Sequence, residues 1–475
     1  MAAIVVVGCV ATISFGERIG VNRGQGWDGM SYTAWAEAFW QRVVVEGLTR
    51  YHAQRVLPSA IVHYGLRLVG ATPDLAHVIA GFQVLNTVVL AGAAVLWAEL
   101  GAVMQWRRAA VWVGFVALFG GFANARHALY YPTLTDPMAF ALGMAMAWGY
   151  LTRRGWVLWL VAAAGLVTWP ALAPLAMVLM VLPRAGVPVE AGPRVRRWIA
   201  AGLAAIGAAV FGVLAMWYLA HPVPGVGDEK FAQWVRRDLL VITLPMLAVM
   251  LGAGWYVLLV EPRLWNVRGY FRQIFCARVL VSVAGIVGLV IARQLWLARV
   301  GAHGDGPSGA QFLCEHTLAA IRGPVWGLVH QVVYFGPIVI VAVIHWRRIA
   351  EVAAAWGPGA VLALALTVAF AAGSNARQWN HLLPFLVAAT IAATEARWTV
   401  RRALGFVAIA LPWSKLWLQI GYDRPLVWQE FPNQRYFMNH GPYASDAMYA
   451  IHLVASVVTA VWLVVLLREP VEPAP

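Results

Sequence analysis

A chain of 475 residues that is 61% hydrophobic and 12% charged, with a mean hydropathy of +0.70, carries more apolar surface than one water-soluble core can hide. Its net charge of +14 comes from 33 Arg and two Lys set in short clusters between apolar runs, not along one stripe, which excludes a nucleic-acid-binding face. The three cysteines, Cys9, Cys276 and Cys314, have no paired spacing, so neither a zinc site nor a disulfide framework is implied.

Apolar runs near the ~20 residues needed to cross ~30 Å of hydrocarbon recur along the whole chain. Without water, their backbone groups must be satisfied inside helices or a closed barrel, and the runs are too long and continuous for barrel strands. The expectation is an all-α polytopic membrane protein: a single transmembrane domain over 1–475 with about 12–14 transmembrane helices.

The first predicted span covers 3–19. It lacks a basic n-region and a small-residue cleavage site, so it reads as an uncleaved span rather than a signal peptide. A long loop, 18–74, follows and opens with Gly26-Trp27-Asp28-Gly29-Met30-Ser31-Tyr32. Asp28 reads two ways: as the N-cap of a helix starting near Met30, or as a carboxylate placed at the aqueous face to act as a general base or hold a cation. Apolar and polar residues at helical spacing over 27–45 and 55–69 predict two amphipathic helices lying at the membrane interface.

Spans at 75–100 and 109–123 lead to Arg126-His127-Ala128-Leu129-Tyr130-Tyr131-Pro132-Thr133-Leu134-Thr135-Asp136-Pro137. Pro137 fits the first helical position of the next span, and Thr135 or Asp136 fits its cap. Arg126 and His127 suit a phosphate, and the tyrosines suit a sugar ring, a prenyl chain or an interfacial aromatic belt.

Further spans fall at 137–151, 156–169, 171–182, 199–219, 239–260, 279–297, 323–344 and 355–372. His330, inside one of them, reads as a hydrogen-bonded core residue. Ser374-Asn375-Ala376-Arg377-Gln378-Trp379-Asn380-His381 comes next. Arg377 at this depth is either a functional group or a side chain snorkelling to the interface. After spans at 382–394 and 403–420 comes a loop rich in hydrogen-bonding groups and aromatics, including Arg435 and His440, which reads as a lid. A last span at 447–467 ends in a short cytoplasmic tail, 468–475.

With the N-terminus inside, the cytoplasmic side receives Arg107/Arg108, Arg153/Arg154, Arg184 with Arg194/Arg196/Arg197, Arg263/Arg268/Arg272/Arg278, Arg347/Arg348, Arg397/Arg401/Arg402 and Arg468, as the positive-inside bias requires. The other side receives most of the acids and histidines. There is no Walker A, GxSxG or HExxH motif, so Walker-type nucleotide binding and the common hydrolase chemistries have no anchor.

A first span, a long outward loop with an early acid, two interfacial helices and a bundle of spans together resemble the GT-C superfamily of membrane glycosyltransferases. Trp27-Asp28-Gly29-Met30-Ser31-Tyr32 is similar to the W-D-G-x-x-Y of some mannosyltransferase-like members. The resemblance implies transfer of a sugar from a polyprenyl-phosphate donor to an envelope glycan or lipid acceptor at the outer face of the cell membrane. It implies Asp28 as catalytic base and Asp136 as second acid, with Trp27, Tyr32, Arg126, His127, Tyr131, Arg377, His381, Arg435 and His440 in substrate contacts. No cofactor is indicated. The first loop has no DxD, so a divalent metal is not called for, and the absence of a large C-terminal soluble domain argues against a protein acceptor. A multi-pass transporter or flippase is the rival class, and a non-catalytic scaffold a second rival.

Overall fold

The computed structural model describes residues 1–182, 193–221, 235–266, 270, 277–301, 309–418 and 446–468. Arg435, His440 and the tail beyond 468 lie outside the described residues. Among those described, the chain is helical and contains no strand. The helices are α1 Ala2–Phe15, α2 Gly29–Glu37, α3 Leu57–Leu68, α4 Leu75–Val103, α5 Arg108–Phe119, α6 Ala128–Tyr130, α7 Asp136–Leu151, α8 Gly155–Gly165, α9 Leu172–Val181 and α10 Pro193–Ala220. The second half adds α11 Leu240–Leu259, α12 Ala277–Arg299, α13 Gly309–Ala320, α14 Trp326–Phe335, α15 Ile338–Ile344, α16 Trp346–Trp356, α17 Pro358–Ala372, α18 Leu383–Thr394, α19 Val400–Ser414 and α20 Asp446–Leu466.

Five helices are long and apolar enough to cross a membrane, and a sixth span results if the bent pair Arg108–Phe119 and Ala123–Tyr130 counts as one. These helices also turn large apolar side chains outward: Val241 is 83% exposed and Val281 68%. Such continuous apolar surface is tolerated only where lipid covers it. The chain is therefore an all-α protein with several membrane-spanning helices.

Helix covers most of each predicted span, but among the described residues five or six helices, not the expected 12–14, are long and apolar enough to cross, and several boundaries move. The first span ends at Phe15, four residues before its expected end, because Gly16 turns the chain into an extended conformation. The span expected over 323–344 is broken between α14 and α15 at Gly336, whose φ of +83° is in the left-handed region, and by Pro337 behind it. The helix expected over 403–420 stops at Ser414. In the first loop, helix gives way after Glu37 to a π-turn, Trp40–Val45, so the amphipathic helix expected over 27–45 is shorter than its pattern.

The first-loop helices pack on the N-terminal part of α4, joined by side chains that reach backbone. Ser59 Oγ donates to the Tyr32 carbonyl at 2.9 Å, and His63 Nδ1 to the Ala36 carbonyl at 2.7 Å. Asp74 caps α4, accepting from the His77 amide at 2.9 Å. At 1.5 Å per residue, the 29 residues of α4 run about 43 Å, longer than a bilayer core. At its far end Glu99 pairs with Arg154 at 2.9 Å. The Arg107 amide donates to Glu395, and Arg397 and Arg402 donate to the carbonyls of Leu467 and Arg468. The basic loops thus gather at one end, and the loops carrying Asp28 and Asp136 at the other.

Candidate functional site

The glycines beside Asp28 decide where its carboxylate goes. Gly26 has φ +69°, and a Cβ there would overlap the Tyr131 ring, so only glycine lets this turn lie flat on the 128–136 loop. That loop is pinned from α4 by Asn86, whose Nδ2 donates to the carbonyls of Ala128 and Pro132. Tyr131 Oη then accepts from the Gly29 amide at 3.1 Å, one of the first helical amides without a partner inside the helix, while the next two, of Met30 and Ser31, go to the carbonyls of Trp27 and Asp28. Asp28 occupies the N-cap position of α2 but caps nothing. Its side chain is 49% exposed and its Oδ2 lies 3.7 Å from Arg377 Nη2.

Arg377 sits in a 3-10 turn, Ala376–Trp379, between α17 and α18. Its Nε donates to Asp136 Oδ1 at 2.8 Å and its Nη2 to Oδ2 at 3.2 Å, a two-pronged pair with Asp136 only 4% exposed. Burial opposes the charge on Arg377, but Asp136 and then Asp28 outweigh it and hold the guanidinium well above its ordinary value. Arg377 does not snorkel.

The Arg377 turn is fixed on three sides. Trp379 Nε1 donates to Gln331 Oε1 at 2.7 Å, Gln331 Nε2 donates to the Gly373 carbonyl at 2.8 Å, and Asn380 Nδ2 donates to the Asp136 carbonyl at 3.2 Å. Gly143 of α7 admits the turn, since a Cβ there would stand 2.1 Å from the His381 carbonyl oxygen. On the far side, the His127 ring meets the Tyr334 hydroxyl at 3.2 Å and feels the charges of both Asp136 and Arg377. One cluster thus joins Asp28, Tyr131, Asp136, Arg377 and His127, with Trp27 edge-on to Tyr131 at 6.3 Å.

Arg126 does not belong to it. Residues 123–127 form a π-turn after the Gly120-Gly121 break, and the neighbours Arg126 and His127 have different partners. Arg126 pairs with Glu17 at 2.7 Å and donates to the Lys415 carbonyl. Both Glu17 and Arg126 line a separate groove of about 830 Å³ between α1, α5 and the end of α19, otherwise walled mainly by residues such as Val5, Leu90, Phe115 and Phe119.

Tyr32 and His381 are buried, and Tyr32 Oη and His381 Nδ1 have no hydrogen-bond partner among the described residues. His330 is a core residue bonded to the Trp326 carbonyl at 2.9 Å, as expected. Among the described residues no group of three or more His, Cys, Asp or Glu side chains is placed to hold a metal ion.

Sequence reasoning missed Gln331, Tyr334, Glu17 and Arg55. The first two sit in an apolar run whose pattern reads only as span. Glu17 was visible as the one acid at the end of the first span, but its partner was not. Arg55 was legible as a charge interrupting an apolar stretch. No known protein family, no curated protein and no solved structure matches the chain.

Proposed function

We propose that the chain is a membrane glycosyltransferase acting at the end of the bundle that carries Asp28. It moves a sugar from a polyprenyl-phosphate donor to an envelope glycan or lipid acceptor on the extracytoplasmic side of the cell membrane. The supporting observation is the Asp28 carboxylate: uncommitted to a cap, half-exposed and steadied by Arg377. Asp28 takes the proton of an acceptor hydroxyl while its oxygen bonds to the anomeric carbon, and the bond from that carbon to the donor phosphate breaks with its electron pair leaving on the phosphate. Asp136, paired through both oxygens, positions Arg377. The groove that Glu17 and Arg126 line suits a prenyl chain, being walled mainly by apolar side chains.

The test is transfer of label from radiolabelled polyprenyl-phosphate sugars to membrane acceptors in vesicles at matched expression. Asp28→Asn removes the base and keeps the size; transfer should fall by about 10²–10⁴-fold. Equal transfer by wild type and variant would sink the assignment.

A lipid flippase is the second reading, favoured by the bent pair Arg108–Phe119 and Ala123–Tyr130. It predicts that labelled lipid crosses the bilayer with no new glycosidic bond.

A further inference from the structure

The groove between α1, α5 and the end of α19 is apolar along its length and polar at one end. It follows α1 from Ile4 to Glu17, and the helical part, Ile4 to Phe15, rises about 16 Å at 1.5 Å per residue. Leu90, Phe115 and Phe119 wall this stretch. Gly8 leaves it open, since a Cβ built there meets nothing within 4 Å among the described residues. Thr12, also on the wall, turns its hydroxyl back to the Gly8 carbonyl at 2.9 Å. The remaining polar side chains, Glu17 with Asn124 and Arg126 of the π-turn, gather where α1 ends. An apolar channel with polar groups at one end has the outline of an amphiphile.

The chemistry of that end is set by acceptors. Arg126 is 7% exposed and its fork is turned to the protein: Nη2 donates to Glu17 at 2.7 Å and Nη1 to the Lys415 carbonyl. Glu17 is the more open member of the pair, at 20%. Lys415 directs its own amine to His452 Nε2 at 3.0 Å. Asn124 is 3% exposed, and its Nδ2 donates to the Leu118 carbonyl at 2.8 Å, which fixes the sense of the amide. Its Oδ1 is buried with no hydrogen-bond partner among the described residues. A buried acceptor without a donor is costly, and a ligand that brings an O–H or N–H removes the cost. Charge narrows the choice further, because Glu17 and Arg126 together are neutral. A phosphate adds an anion facing the carboxylate, and an ammonium adds a cation beside the guanidinium, each unmatched in apolar surroundings. A hydroxyl brings a donor and no charge.

We propose that this groove holds a single-chain lipid with a hydroxyl head, its chain against α1 and α5 and its O–H donated at the Asn124 and Glu17 end. The apolar walls admit any lipid chain; the polar end selects a neutral donor over a phosphate. The inference stands apart from the transferase reading, because a transported lipid can carry the same head. Where the transferase reading holds, this lipid lies on the acceptor side of the reaction and is not the phosphorylated donor.

The experiment uses the full chain in nanodiscs of phosphatidylcholine, a lipid whose head has no O–H or N–H donor. It reads saturable binding of tritiated hexadecanol above that of empty nanodiscs. Unlabelled hexadecanol, hexadecylamine and hexadecyl phosphate, which share the chain and differ in the head, then compete for the site. Wild type should bind the alcohol saturably, and both ionic competitors should displace it about tenfold less readily than the unlabelled alcohol, the penalty of an unmatched charge. Asn124→Leu should weaken binding by about twofold to tenfold, the worth of one neutral hydrogen bond. If that variant does not fold, Gly8→Leu tests the same groove, because its side chain starts in open space and takes the room of the lipid chain. Binding by Gly8→Leu should fall by about tenfold or more, as overfilling a packed site does. No saturable binding by wild type, an amine or phosphate that competes as well as the alcohol, or unchanged affinity in either folded variant overturns the site. Binding is read without any sugar donor, so its failure leaves label transfer through Asp28 standing, and failed label transfer leaves the hydroxyl-lipid groove standing.

Discussion

The two carboxylates around Arg377 do different work because their surroundings differ. Asp136 is almost wholly buried and paired through both oxygens; Asp28 is half in water and 3.7 Å away. Removing one partner of a buried ion pair costs about 3–5 kcal/mol because the other charge is left stranded. An exposed pair contributes about 0–1 kcal/mol. Asp136→Asn should therefore lower the thermal unfolding midpoint in detergent markedly, while Asp28→Asn should shift it little and lose activity instead. A larger stability loss from Asp28→Asn would mean that Asp28 is the structural acid and that the roles are reversed. The individual residues of this triad were legible in the sequence: an acid between glycines, an acid before a proline, an arginine between apolar runs. Their pairing was not, because nothing local to any of them records a partner contributed by the other half of the chain. The same limit hid the split between Arg126 and His127, adjacent residues of one π-turn of which the first pairs with Glu17 and the second meets Tyr334.

Among the elements, the long apolar helices could be read from composition alone, since hydrocarbon thickness sets their length. The breaks carried their own signals, Gly120-Gly121 before the bent turn and Gly336-Pro337 between α14 and α15, but such pairs mark a turn without fixing its direction. What aims the Arg377 turn is the close approach of α7, permitted by Gly143. Gly143→Ala would place a methyl group 2.1 Å from the His381 carbonyl oxygen, which is backbone and must move. A misplacement of about 1 Å at a reacting centre can cost 10²-fold in rate. Label transfer by Gly143→Ala should accordingly drop by about tenfold or more at matched protein levels. Gly65→Ala on α3, where the added methyl meets nothing within 4 Å, should leave transfer near wild type. If both variants transfer alike, the turn is not held by this contact.

At the scale of the whole molecule, charge divides the bundle. Glu99 with Arg154, the Arg107 amide with Glu395, and Arg397 and Arg402 with the chain at Leu467 and Arg468 lie beyond the far end of α4, while Asp28, Asp136 and Arg377 gather at the end where Asp74 starts it. On the positive-inside bias we propose an orientation in which the arginine end faces the cytoplasm and the triad faces outward. The orientation is open to a direct check with single cysteines in a chain whose Cys9, Cys276 and Cys314 are replaced by serine. His77→Cys and Arg347→Cys suit this, since the native side chains are 55% and 86% exposed. In intact cells a membrane-impermeant maleimide should label position 77, and position 347 should label only after lysis. The reverse pattern would place the triad in the cytoplasm and remove the ground for an extracytoplasmic lipid-linked donor. Labelling of both positions in intact cells would show that the two ends share a compartment, and the proposed topology would then fail as a whole.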